Sequence, residues 1–356
     1  MPQRLDALTN WLHDVLNADA SDARPVVDVR LTPASTDASF RRYFRLQVPL
    51  SHAGPLNTAQ MKPGTTQPAD AQLVSLIAMD APPGKEETGP FVRIANLLAE
   101  LRLNAPRVLA QNTEQGFLLL SDLGVQSYLD VLDEHNVDAL YADALDALLT
   151  MQRDAPRDST LLPAYDHGLL LREMGLFRDW YCDQYCKAPF SATQWSDLEA
   201  IFQQLADAAL AQPQVFVHRD YHSRNLMRTI TDNPGILDFQ DAVIGPVTYD
   251  LVSLLRDCYI AWPRSRVEAW ALDYLHRAAR EGLIARQSDA TYLCWFDWMG
   301  VQRHLKAVGI FARLCLRDGK PGYLNDIPRT LNYVRDVSAR YPELKPLRLL
   351  LEALPR

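Results

Sequence analysis

The residues best suited to chemistry stand in one run, Val215-Phe216-Val217-His218-Arg219-Asp220-Tyr221-His222-Ser223-Arg224-Asn225. A short apolar strand delivers His218-Arg219-Asp220, and an asparagine follows five residues after the aspartate. Asp220 can accept the proton of an attacking hydroxyl, and Asn225 can lend a neutral oxygen to a metal ion. Thirteen residues later, Ile236-Leu237-Asp238 is a second apolar piece that ends in a carboxylate. Mg2+ takes one or two carboxylates and completes its shell with phosphates and water. A lone aspartate after a strand more often caps a turn. Base, neutral oxygen and following carboxylate together are the parts needed to move a phosphoryl group from a magnesium-bound nucleotide to a hydroxyl.

Those parts need elements to hold them. Leu5, Leu8, Trp11, Leu12, Val15 and Leu16 share one face of an N-terminal helix. Strand-like runs follow at Val26–Leu31 and Phe40–Val48, then a Pro-, Gly- and Thr-rich insertion over residues 49–72. A strand at Leu73–Met79, a helix at Phe91–Leu103 and two strands at Arg107–Ala110 and Gly116–Leu120 complete a β-rich lobe over 1–120. Ser121–Gly124 is the expected hinge. Beyond it, 125–356 reads as mainly helical, at Tyr128–Leu132, Val137–Met151, Leu169–Tyr185, Trp195–Leu210, Tyr249–Ala261, Val267–Glu281 and Ala290–Leu316. The expected class is α+β: a two-lobed, kinase-like fold with a β-rich N-lobe and a mainly helical C-lobe.

The chain of 356 residues carries a net charge of −8, which argues against nucleic-acid or general membrane-surface partners. No apolar run approaches the roughly 18–20 residues of a membrane span, and no signal-peptide core is evident, so the cytoplasm is the expected location. Five cysteines, none in a CxxC pair, read as free thiols rather than a disulfide framework. A monomer acting on a small molecule is the expectation.

The spacing His218-Arg219-Asp220…Asn225…Asp238 resembles the aminoglycoside phosphotransferase/choline kinase-like branch of the kinase fold. Four further stretches are Ser35–Arg45, Met79–Pro83, Leu118–Gly124 and Gln302–Arg313. They are similar to the bacterial anomeric sugar kinases that act on N-acetylmuramate and N-acetylglucosamine in cell-wall recycling. The resemblance implies ATP and Mg2+ as cofactors and phosphorylation at the C1 hydroxyl. It gives Asp220 the part of base and Asn225 and Asp238 the metal. Asp250 would hydrogen-bond the loop backbone; on its own it reads as a carboxylate favoured at a helix N-terminus.

In the same frame Ser35, Thr36 and Ser39 occupy the place of a phosphate-covering loop, without its glycines. Ser121 and Leu123, in the hinge, would offer backbone groups to adenine. The family's strand lysine is missing: Leu73–Met79 has none, and the N-lobe holds only Lys62 and Lys85. Alternation puts Arg42 on a face with Phe40, Phe44 and Leu46. Arg42 can replace the lysine as a phosphate ligand; a solvated edge arginine is the competing account.

For the acceptor, Glu173, Arg303, His304 and Lys306 are candidates. Residues 291–356 hold eleven Lys and Arg against six Asp and Glu, a local excess of five positive charges in an acidic chain. That suits an amino sugar bearing a carboxylate better than choline or an aminoglycoside. Another small-molecule kinase of the choline or aminoglycoside type is the alternative, and a pseudokinase binding module is a second.

Overall fold

Leu8, Leu12 and Leu16 do fall on one buried helical face, and what they cover is a sheet. The computed structural model describes residues 2–18, 27–34, 40–50, 73–157 and 161–355. These divide into two compact units, one of residues 1–125 with 229–240, the other of 126–228 with 241–356.

In the first unit, helix α1 (Pro2–Leu16) precedes strands β1 (Thr32–Pro33), β2 (Arg42–Pro49) and β3 (Leu73–Asp80), helix α2 (Gly89–Glu100), and strands β4 (Val108–Asn112) and β5 (Phe117–Ser121). The sheet runs β1-β2-β3-β5-β4 with antiparallel neighbours. Alternation turns Leu46 and Val48 of β2, Val74, Leu76 and Ala78 of β3, and Phe117 and Leu119 of β5 into the α1 core. The β2–β3 register sets Arg42 directly opposite Asp80. Gly116, at φ +71°, has to be glycine, because a Cβ there would lie 1.9 Å from the Ala81 carbonyl oxygen.

Two strand expectations are corrected. Over 27–31 no strand forms, and β1 pairs only at Thr32 and Pro33. The alternating Val27, Val29 and Leu31 pack on the core through side chains without a backbone ladder. Phe40 lies outside β2 and is exposed, so the inward face belongs to Leu46 and Val48. Most of the 49–72 insertion, from residue 51 on, lies outside the described residues.

The segment 229–240, with strand β8 (Gly235–Ile236), belongs to this first unit despite its place in the chain. The Ile236 amide donates to the Asn104 carbonyl at 2.7 Å, and Phe239 packs on Phe91 of α2 with centroids 4.8 Å apart.

The second unit comprises α3 (Tyr128–Val131), α4 (Val137–Asp154), α5 (His167–Leu176), a π-helical turn (Phe177–Tyr185), α6 (Ala192–Leu210), β6 (Gln214–Val217), β7 (Leu226–Met227), β9 (Val243–Pro246), α7 (Tyr249–Leu255), α8 (Arg264–Arg280), α9 (Asp289–Leu316), a 3-10 turn (Pro321–Asp326), α10 (Ile327–Ser338) and α11 (Lys345–Ala353). The expected helix Leu169–Tyr185 is thus α-helical and then π-helical. The expected Tyr249–Ala261 helix stops at Leu255, because the Asp257 side chain turns to accept backbone amides. Buried α9 crosses the α5–π junction at Gly309, where a Cβ would meet the Leu176 carbonyl carbon at 2.3 Å. That close approach fixes α9 against the helix carrying Glu173.

Candidate active site

Strand β6 is fully buried at Val215, Phe216 and Val217 and pairs with β9, so the chain leaving it enters a short, fixed loop. The loop is held from below at four points. Asp250, fully buried in the first turn of α7, accepts from the His218 amide at 2.6 Å and the Arg219 amide at 3.0 Å. Burial pushes its carboxyl up to about 7, against the pull of those two amides. The Tyr221 hydroxyl donates to the Ala144 carbonyl at 2.7 Å. Asp257 accepts from the Ser223 amide and hydroxyl at 2.9 and 2.5 Å.

With those residues turned inward, Asp220, Arg224 and Asn225 are left partly or fully exposed. Arg219 adopts φ +78°, a left-handed conformation costly for a non-glycine residue, immediately before the base. The Asp220 amide donates to His218 Nδ1 at 3.3 Å, and Asn225 Nδ2 donates to the Asp220 carbonyl at 3.0 Å. Base and asparagine are therefore tied together.

Burial alone would raise the Asp220 carboxyl. Lys306, His222, Arg303 and Arg219, in that order, outweigh it and hold it below the ordinary aspartate range. Asp220 is therefore ionised and ready to accept a proton at neutral pH.

Of the acceptor candidates, Glu173 and Lys306 come together. Glu173 accepts from Arg219 and from the Tyr165 hydroxyl and pairs with Lys306 Nζ at 3.0 Å. Lys306 also donates to the Tyr249 hydroxyl at 2.9 Å. Burial would raise Glu173, but Lys306 and Arg219 keep it lowered. Arg303, also on α9 and nearly buried, donates to Cys258 Sγ at 3.6 Å, and its charge acts on Asp220. His304 is a correction. Its Nε2 meets the Arg256 carbonyl at 2.8 Å, its ring stacks on Tyr333, and burial beside Arg303 drives its pKa to about 3. It is a neutral core residue and supplies no charge for an anion.

In the first unit, Asp238 sits at φ +63° and accepts from Gln240 Nε2 at 2.8 Å. Arg42 is bound to the fully buried Asp80, which Arg4 also engages through Nε at 2.8 Å. Lys85 lies 4.7 Å over the Phe40 ring. The Ser121 amide and hydroxyl oxygen are both used on Arg107, and Leu123 is partly buried in the following connection. Ser35, Thr36, Ser39 and Lys62 lie outside the described residues.

Sequence reasoning missed Asp122, one residue into the connection. It accepts from Arg45 Nε at 2.6 Å, from the Ser75 hydroxyl and from the Gly124 amide, and so braces Ser121–Gly124. It missed Asp257 as well. An aspartate just past the apolar run Leu251–Leu255 was the available signal.

In the second unit the Asn225 amide N–H2 donates to the Asp220 carbonyl, and its side-chain oxygen is an atom of the kind that ligates hard cations. In the first unit Asp238 is a carboxylate, a hard oxygen donor of the type magnesium takes.

A β-rich unit with a five-stranded antiparallel sheet, and a helical unit with a His-Arg-Asp loop, define a phosphotransferase of the protein-kinase-like class. Residues 30–287 match the phosphotransferase enzyme family, and the chain belongs to that family. It is 47% identical to an N-acetylmuramate/N-acetylglucosamine kinase of Pseudomonas putida, over 99% of this chain and 96% of the relative. It is 40% identical to one of Neisseria meningitidis, over 99% and 96%. Among solved structures, an ADP-bound aminoglycoside phosphotransferase is similar at TM-score 0.53 and 14% identity, covering 91% of this chain and 97% of that one. A Plasmodium vivax ethanolamine kinase reaches TM-score 0.57 at 10% identity, covering 90% and 86%. These solved structures show the fold.

Proposed function

We propose that the chain is an ATP- and Mg2+-dependent kinase that phosphorylates the C1 hydroxyl of N-acetylmuramate and N-acetylglucosamine, as a cytoplasmic monomer serving cell-wall recycling. The observation that carries this is 47% identity, over nearly the full length, to a kinase named for both sugars. Asp220, held ionised by the surrounding cations, orients the anomeric hydroxyl and takes its proton. An anomeric hydroxyl is more acidic than an ordinary alcohol, so a carboxylate of low pKa is an adequate base. Asn225 and Asp238 would hold the metal. With ATP as phosphoryl donor, the bound magnesium would offset the charge that develops on the transferred group. Arg42, fixed by Asp80, stands in for the missing lysine toward the nucleotide phosphates. Glu173 holds Arg219 and Lys306 and so keeps positive charge beside the base.

Phosphorus NMR of the product, with both sugars, choline and an aminoglycoside as acceptors, is the test. A C1 phosphate on the amino sugars is expected. A C6 phosphate, or turnover only of choline or the aminoglycoside, would refute the assignment.

A further inference from the structure

The cations of the catalytic loop and of α9 are unequally committed. Arg219 and Lys306 are bound to Glu173, and nearly buried Arg303 to Cys258. Arg224 is different. Its side chain is 41% exposed, and its ion pair with Asp326 is 4.0 Å long, the outer limit of such a contact. Asp326 is held more closely by Arg329, at 3.0 Å, so the long Arg224 pair adds little and is readily exchanged.

The Arg224 guanidinium is nevertheless well placed. Its carbon lies 3.6 Å from the Tyr259 ring centroid and 5.8 Å from that of Tyr323. Tyr259 is itself packed edge-to-face on His222 and tilted against Phe311, and Phe311 stacks on Tyr323 at 19°. A guanidinium lying on a ring face directs its N–H groups sideways, in its own plane, where a carboxylate can take two of them at once. His222, in the same loop between Asp220 and Arg224, is 8% exposed, and its buried Nδ1 has no hydrogen-bond partner among the described residues.

We propose that Arg224 is the specificity-determining residue for acidic acceptors: held flat on Tyr259, it exchanges Asp326 for the carboxylate of an amino-sugar acid whose reacting hydroxyl lies at Asp220. This rests on the kinase function proposed above and adds the group that tells the acidic sugar from the neutral one. Tyr259 and Tyr323 keep the guanidinium in place when no acid is bound, so less ordering is needed on binding.

The experiment measures kcat/KM for N-acetylmuramate and N-acetylglucosamine in wild type, Arg224→Gln, Arg224→Lys and Asp326→Asn. Arg224→Gln should lower the acidic-to-neutral ratio about tenfold or more, chiefly through KM, because a charge-assisted hydrogen bond is lost for one sugar only. Arg224→Lys should recover part of that ratio. Asp326→Asn, which removes the competing carboxylate, should lower KM for the acid. A ratio in Arg224→Gln within about twofold of wild type would overturn the assignment of Arg224 while leaving the kinase function standing. A wild-type protein that turns over neither sugar would overturn both.

Discussion

Replacing Asp250 should damage the site without touching any substrate. Its two carboxyl oxygens accept from the His218 and Arg219 amides at 2.6 and 3.0 Å, all within a buried pocket. Asp250→Asn keeps one acceptor oxygen and turns an N–H2 donor toward the other amide. One buried donor is then unsatisfied, at a cost of roughly 1–3 kcal/mol, and in Asp250→Ala both are, at roughly twice that. Part of the loss falls on the catalytic loop, since the Arg219 amide immediately precedes Asp220. A tenfold drop in kcat corresponds to about 1.4 kcal/mol, so Asp250→Asn should lose about ten- to hundredfold in kcat. KM for ATP should stay within about threefold, because no nucleotide contact is removed.

Urea unfolding followed by tryptophan fluorescence, alongside steady-state kinetics, gives both numbers. There is also a pH signature. A carboxyl raised from 3.8 to about 7 in the fold contributes stability that is full below 3.8 and is lost as pH rises through about 7. The stability difference between wild type and Asp250→Asn should therefore shrink across that interval. Equal unfolding midpoints, or a kcat unchanged in both variants, would show that these hydrogen bonds do not govern the loop.

Other expectations follow from the same contacts. Asp220→Asn should cut kcat by about 10²–10⁴-fold while calorimetric ATP affinity stays within about threefold; turnover near the wild-type rate would remove Asp220 as base. Asp238→Ala should abolish productive use of Mg·ATP, and Asn225→Ala should raise the magnesium concentration for half-maximal activity; a titration unchanged in both would count against the metal assignment. Arg303→Ala should lower kcat/KM equally for the acidic and neutral sugars, since Arg303 is bound to Cys258 inside the fold; a selective loss on N-acetylmuramate would return it to the acceptor site. Arg42→Ala should raise KM for ATP, and an unchanged value would leave the phosphates to other residues.

What sequence disclosed was local. His218, Asp220 and Asn225 lie within one loop, so their spacing alone carries their geometry, and each apolar piece before a carboxylate could be seen. Direction around a helix could not. Arg303 and His304 are neighbours on α9, yet about 100° of rotation per residue sends one to Cys258 and the other to the Arg256 carbonyl. Glu173 and Lys306 were singled out without their pairing to each other or to Arg219, which lies 46 residues from Glu173, because only packing brings them together. The 27–31 alternation is real but found no ladder, since inward side chains and backbone pairing are separate requirements. Helices α10 and α11 went unread although Ile327, Leu331 and Val334 recur at helical spacing. The return of 229–240 to the first unit depends on Asn104 and Phe91, which no local pattern links to it.

The Glu173 cluster has a consequence for how this site changes over generations. One buried carboxylate is shared by two cations, Arg219 and Lys306. Neutralising Glu173 strands two positive charges, and removing either cation leaves the carboxylate with half its compensation; stranded buried charges cost several kcal/mol. Single steps away from the trio are therefore steeply downhill, whereas paired steps that remove charges of both signs together need not be. The three positions should drift as a linked set, strongly epistatic, each tolerating substitution only in backgrounds where another has already moved.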